Sequence, residues 1–260
     1  TLEQLNAIVS AAVYMKGPVL VGTSENESKF VGMLQAVALV KSFQEQGIAV
    51  FLNADHFRSV EGAKEAVDAG YDSVNIDLSK ESFEKNLKGT KEVVEYAKKK
   101  KVNVEGELGY LVTDSSKVYE EEISIPEESY TKVEEAMQFV KESRVDRFSP
   151  AIGTIHGIAA NAPSLRLDLA KELSKALNVS LVLHGGSGVG EDDMKAVIAS
   201  GFNNIHVSTE LRVAYGNKLR ETLKAMPDEI APYKYLKDPR EAVMQLVQDK
   251  MKLFSAVDVL

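Results

Sequence analysis

The chain has 260 residues, of which 44% are hydrophobic and 27% charged, enough to bury a sizeable core as one large domain or two small ones. It contains no cysteine, which excludes disulfides and thiolate metal sites and suits a reducing cytoplasm. A net charge of -8 and the lack of any 18-residue apolar run argue against nucleic-acid binding and against a membrane span.

Short apolar runs alternate with longer amphipathic stretches from end to end. A helical pattern over roughly 2–16 comes first and is followed by the strand-like run Val19-Leu20-Val21-Gly22. The next helix, 32–46, leads to Ala49-Val50-Phe51-Leu52, and helix 59–69 leads to Ser73-Val74-Asn75-Ile76. Helix 84–100 closes on four lysines, where positive charge favours the helix dipole, and precedes Val102-Asn103-Val104. Helices 130–142, 166–177 and 191–200 then alternate with Phe148–Ile152, Leu181–Leu183 and Asn204–Val207. Two helices, 211–225 and 238–253, end the chain. Gly17, Gly47, Gly70 and Gly201 sit where several of these helices should terminate.

Strict alternation of strand and helix implies a parallel sheet covered on both faces. Seven strands are legible and the chain opens on a helix. A (β/α)8 TIM barrel needs eight strands and about 250 residues. The simple expectation is a single barrel domain over 1–260 whose first strand precedes Thr1. No signal peptide is visible at Thr1, although Thr1 need not be the natural start. A doubly wound open sheet is the alternative, but it would gather its ligand groups at one reversal of strand order. Here polar residues follow many strands: Thr23-Ser24, Asp55-His56, Asp77, Glu105 and Glu107, His156, His184, and Ser208-Thr209. In a barrel they converge on the C-terminal face, where barrel enzymes place their sites.

Three of the four histidines occupy matching positions: His56 ends "VFLNADH", His156 follows "PAIGTI" and His184 follows "LVL". Three imidazoles meeting in a barrel mouth make a Zn²⁺ site with an open fourth position. Each alone would more readily be a hydrogen-bonded core or rim histidine. Asp55, next to His56, is a candidate general acid/base beside a metal-bound substrate. Glu105 and Glu107 lie two apart and so on one face of a strand, where buried carboxylates need a metal or an ion-pair partner. Gly185, Gly186, Ser187 and Gly188 form a loop suited to a phosphate, helped by the dipole of the following helix. Ser208 and Thr209, on the last strand, add hydroxyls, and loops after the last two barrel strands commonly form a phosphate site. The stretch Tyr110–Glu128, with Asp114, Ser115, Ser116 and Lys117, is long enough to be a lid or a solvated excursion.

Taken in order, "NADH", "VEGELG", "AIGTIHG", "LVLHGGSG" and "STELRVAY" resemble the class II, metal-dependent fructose-bisphosphate aldolases over nearly the whole chain. The resemblance implies a (β/α)8 barrel with His56, His156 and His184 as zinc ligands and Asp55 as the proton donor and acceptor. It implies Glu107 at an alternative metal position. It places Gly157, Gly185, Ser187, Ser208 and Thr209 around the substrate phosphate, with a monovalent cation (Na⁺ or K⁺) nearby. The implied reaction is reversible cleavage of fructose 1,6-bisphosphate to dihydroxyacetone phosphate and glyceraldehyde 3-phosphate, in a cytoplasmic homodimer or homotetramer of glycolysis and gluconeogenesis. Tagatose bisphosphate is the rival substrate. A metal-dependent hydrolase and a non-catalytic sugar-phosphate binder are the rival classes.

The chain departs from the family pattern in four places. Asn53 stands where a histidine is frequent, and His206 where an asparagine often contacts substrate. Ala159 and Ala160 occupy the segment that often carries a phosphate-binding lysine, leaving Arg212 or Lys234 as candidate replacements. The loop "GYLVTDSSKVYEEE" lacks the usual glycine-rich, glutamate-bearing pattern, so no residue is assigned as the loop acid.

Overall fold

A computed structural model describes residues 1–113, 117–161 and 165–260. Asp114, Ser115 and Ser116 of the expected lid lie outside the described residues. The chain begins with α1 (Leu2–Met15), then β1 (Val19–Ser24), α2 (Glu25–Val31), α3 (Met33–Gln44), β2 (Val50–Phe57), α4 (Val60–Ala69), β3 (Ser73–Ile76) and α5 (Phe83–Lys98). It continues with β4 (Asn103–Leu108), α6 (Val133–Ser143), β5 (Arg147–Pro150), α7 (Leu167–Ala176), β6 (Ser180–Leu183), α8 (Glu191–Ala199) and β7 (Phe202–Ile205). Three helices, α9 (Thr209–Ala225), α10 (Pro232–Tyr235) and α11 (Lys237–Leu253), complete it.

The seven strands pair in chain order, every neighbour parallel, as the alternation of strand and helix predicts for a TIM barrel. The sheet curls so that its edge strands β1 and β7 face each other across a cavity of about 1020 Å³. The three site histidines, Asp55 and Ser187 line the same cavity. Among the described residues neither edge has a further strand partner. The main core lies between the sheet and α3 to α8, built on Leu52, Val74, Ile76, Phe148, Leu173 and Leu181, all nearly inaccessible. A second cluster, Ala7, Ala11 and Met15 against Val243, Val247 and Met251, packs α1 on α11.

Most predicted boundaries hold within two or three residues. The strand after α8 is displaced: it runs Phe202–Ile205, so His206 follows it and Ser208 and Thr209 open α9 instead of lying in a strand. The strand after α6 ends at Pro150, which puts His156 in a loop and not at a strand end. Gly17 is not the left-handed cap of α1; Lys16 is, at φ 49°. Gly17 is needed for a different reason: a Cβ there would lie 2.0 Å from the Ala256 carbonyl oxygen. The short α2 is a helix beyond those expected from the sequence, and Ser24 and Glu27 close a capping box at its start.

A candidate three-histidine metal centre

Asp55 and His56 both reach the cavity because β2 is irregular there. The register of β2 against β3 shifts between Ala54 and Phe57, and His56 takes φ 51°, a left-handed conformation rare outside glycine. Its N–H donates to Asn75 Oδ1 at 2.8 Å, which holds the irregular backbone in place. His184 follows β6 directly and is 2% exposed. His156 sits on the loop after β5, anchored by buried Ile152 and Ile155, and its carbonyl accepts from Thr113 Oγ1 at 2.7 Å. The ring of His56 lies 4.7 Å from that of His156 and 4.5 Å from that of His184, centre to centre.

The partners of each ring fix which nitrogen faces inward. His56 Nδ1 is 2.9 Å from Asp77 Oδ2. The hydrogen bond and charge of His56, with the Ser79 donors, outweigh burial and hold Asp77 well below the usual carboxylate range, so Nδ1 donates. His184 Nε2 is 2.7 Å from Glu105 Oε1. Burial opposes ionisation of Glu105, but His184, His206 and Arg147 bring its pKa down to about 2, so Nε2 also donates. That leaves His56 Nε2 and His184 Nδ1 facing each other at 2.8 Å. His156 Nε2 is buried with no hydrogen-bond partner among the described residues.

These three inward nitrogens fit a divalent metal. One donor atom from each ring lies within 4.8 Å of the others, the donors are borderline-soft imidazoles, and an orphaned buried nitrogen is what a ligand missing its ion looks like. Burial, then the charges of His56 and His184, push the His156 pKa down to about 3, which keeps that ring neutral as a ligand must be. His56 is held well above the imidazole value: burial works against its charge, but Glu107, Asp55 and Asp77 outweigh it. His184 is raised by Glu107 and Glu105 against burial and the charge of His56.

Glu107 Oε1 is buried 3.2 Å from His56 Nδ1, an ion-pair contact, with no well-formed hydrogen bond among the described residues. It also forms three-donor groups with His56 and Asp77 and with Glu105 and His184, which suits it to an alternative metal position. Asp55 lines the same cavity, with Oδ1 3.2 Å from His206 Nδ1. Burial raises its pKa, but His206, His56 and His184 together hold it well below the usual range, so the carboxylate is ionised at neutral pH.

Loops after β6 and β7 knit together beside the histidines. Ser187 Oγ accepts from the N–H of Ser208 at 3.2 Å and of Glu210 at 3.3 Å. Gly185 has φ 70°, and a Cβ there would lie 2.4 Å from the Ile155 carbonyl oxygen. The N–H groups of Gly186 and Gly188 are taken by His206 O and Glu210 Oε1, leaving those of Gly185 and Ser187 unpartnered among the described residues. Gly157, Gly185, Ser187, His206, Ser208 and Thr209 all line the cavity. Of the two candidate cations, Arg212 lines it and pairs with Glu27 at 2.8 Å. Lys234 instead pairs with Glu229, half exposed and away from the cavity lining. Lys250, paired with Glu210 at 2.6 Å, is a cavity cation that sequence reading missed.

A curled parallel sheet carrying three convergent imidazoles, a buried carboxylate and a glycine-serine loop at one mouth defines a barrel metalloenzyme. A family model described as "Fructose-bisphosphate aldolase class-II" matches residues 1–258. The chain is 36% identical over 259 residues to the "Probable fructose-bisphosphate aldolase" of Bacillus subtilis strain 168, covering 98% of this chain and 89% of that one. It is 35% identical to the "Fructose-bisphosphate aldolase" of Staphylococcus aureus strain Mu50, covering 97% and 88%. Among solved structures, the YdjI aldolase of Escherichia coli K12 superposes with a TM-score of 0.83 at 29% identity, covering 98% of this chain and 89% of that one. The chain belongs to the class II fructose-bisphosphate aldolase family and is, with it, a carbon–carbon lyase of the metal-dependent class. Among the described residues no helix is long and apolar enough to cross a membrane.

Proposed function

We propose that this protein reversibly cleaves fructose 1,6-bisphosphate between C3 and C4, as a single barrel domain over residues 1–260. The observation that carries the reading is the buried Nε2 of His156, without a hydrogen-bond partner among the described residues, beside the facing nitrogens of His56 and His184. Zinc is the metal we assign, held by His56, His156 and His184, with Glu107 at an alternative position. When bound, it supplies Lewis acidity for the negative charge that develops at C2 and C3 of the sugar.

The chain's own residues do the rest. Asp55, ionised and facing the cavity, takes the proton from the C4 hydroxyl as the C3–C4 bond breaks and C4 becomes the aldehyde. The electron pair of that bond stays with the C2–C3 half, which becomes dihydroxyacetone phosphate after protonation at C3. In condensation Asp55 returns its proton to the aldehyde oxygen. His206 contacts Asp55 Oδ1 and leaves the other oxygen for substrate. Gly157, Gly185, Ser187, Ser208 and Thr209 surround a phosphate, with the N–H groups of Gly185 and Ser187 free among the described residues and the N-terminus of the 17-residue α9 aimed into the loop. A monovalent cation (Na⁺ or K⁺) beside that phosphate, a homodimeric or homotetrameric assembly and a cytoplasmic location complete the proposal.

Coupled assays of the zinc-loaded protein with fructose 1,6-bisphosphate and with tagatose 1,6-bisphosphate test it. Faster turnover of the fructose sugar supports the assignment, and preference for tagatose moves the substrate to the C4 epimer. Turnover of neither, with zinc bound, refutes both.

A further inference from the structure

Beneath the three histidines the barrel interior is polar, where branched apolar layers would normally fill it. Asn53, Ser73, Asn75 and Glu105 are each no more than 1% exposed, and the Arg147 side chain is 15% exposed. They come from four adjacent strands, β2 to β5. Their hydrogen bonds run in one direction. Arg147 Nη2 donates to Asn53 Oδ1 at 3.1 Å and to Ser73 Oγ. Its Nε donates to Glu105 Oε2 at 3.0 Å. Glu105 Oε1 is thereby left to accept from His184 Nε2 at 2.7 Å and from Asn75 Nδ2 at 3.1 Å. The other end of the same amide, Asn75 Oδ1, accepts the backbone N–H of His56 at 2.8 Å.

Taking a charged pair out of water is expensive, and apolar residues of similar volume would stabilise a core at least as well. A stability role therefore does not account for an arginine and a glutamate here. Their geometry does: Arg147 occupies one oxygen of Glu105 and fixes the carboxylate's rotation, so that the other oxygen meets one nitrogen of His184 only.

We propose that Glu105 and Arg147 are positioning residues of the metal centre. Glu105 selects the His184 tautomer with hydrogen on Nε2 and aims Nδ1 at the metal, and Arg147 orients Glu105. Through Asn75 the same network holds the left-handed backbone of His56, so two of the three ligands share one buried support. A carboxylate behind a metal-bound imidazole typically accounts for ten- to hundred-fold in metal affinity. The proposal rests on the three-histidine reading of the site, and its test is independent of the sugar substrate.

The test measures Zn²⁺ affinity by chelator competition, and the visible spectrum of the Co²⁺-substituted protein, in the wild type, Glu105→Gln, Arg147→Met, Arg147→Lys and His156→Ala. Glu105→Gln and Arg147→Met are expected to weaken zinc binding roughly ten- to hundred-fold and to alter the cobalt spectrum, with far-ultraviolet circular dichroism unchanged. Arg147→Lys keeps the charge but not the fork that reaches three acceptors, and should restore only part of the loss. Wild-type affinity and spectrum in both Glu105→Gln and Arg147→Met, with His156→Ala still losing metal, would overturn the positioning role alone. Undiminished zinc binding in His156→Ala would overturn the three-histidine site and the proposal with it. A measurement that needs no variant guards against misfolding: ¹⁵N spectra of histidine-labelled, zinc-loaded protein should show His184 protonated at Nε2. Metal bound at Nε2 would overturn the proposal.

Discussion

His206 Nδ1 lies 3.2 Å from Asp55 Oδ1, and the His206 ring lies over His184 at 4.2 Å between centres. A carboxylate proposed to move the substrate proton is thus held by a side chain that itself packs on a proposed metal ligand. Asp55→Ala should lower kcat by about 10²- to 10⁴-fold while zinc content stays at the wild-type level. Loss of zinc together with activity would mean that Asp55 serves the metal and not the proton.

His206→Asn shortens the partner of Asp55 but keeps a donor. Because the ionised Asp55 retains its place beside His56, zinc binding should be unchanged. The expected effect is a fall in kcat of several-fold to about 100-fold with little change in KM, measured by steady-state kinetics. A large rise in KM at constant kcat would place His206 in ground-state substrate binding instead.

Gly185 combines a left-handed backbone with a close approach to Ile155 O. Gly185→Ala must displace either its own loop or the segment that carries His156. Competitive inhibition by inorganic phosphate should weaken at least ten-fold, and the melting temperature should fall. An unchanged inhibition constant would remove this loop from the phosphate site.

Glu105 links the site to acid stability. Its pKa in the folded, metal-free protein is about 2, against an ordinary value of 4.5. A carboxyl depressed on folding stabilises the native state above its unfolded pKa, and that contribution disappears as pH falls through the folded value. Metal-free wild-type protein should therefore lose stability between pH 4.5 and about 2, and Glu105→Gln should flatten that part of the curve in urea titrations. Identical slopes for the two proteins would show that Glu105 is not held ionised.

Much of this architecture was legible because each strand is a short apolar run and each helix carries its own period. The strand-end positions of His56 and His184 and the glycine-serine loop could be read for the same reason. His156 was legible as a candidate ligand but not as a loop residue, because "SPAIGTI" is apolar beyond the point where strand pairing stops. Arg147 and Asn75 were not legible at all. Both lie in strands, and nothing local marks that a bond from Arg147 to Asn53 spans 94 residues or that His56 leans on Asn75. Glu105 illustrates the limit well: two readings, ion pair or metal site, were open in "VEGELG", and the structure gives it Arg147 on one oxygen and His184 on the other. Convergence at the barrel mouth comes from the curl of the sheet, which spacing along the chain does not encode.

The most direct test of the account is a zinc titration of chelator-stripped protein, with fructose 1,6-bisphosphate cleavage and bound zinc followed in the same samples. Activity should be absent without metal and should rise in proportion to bound zinc, saturating at one ion per chain. Full cleavage by the stripped protein, or zinc bound at one per chain without cleavage of either ketose bisphosphate, would contradict it.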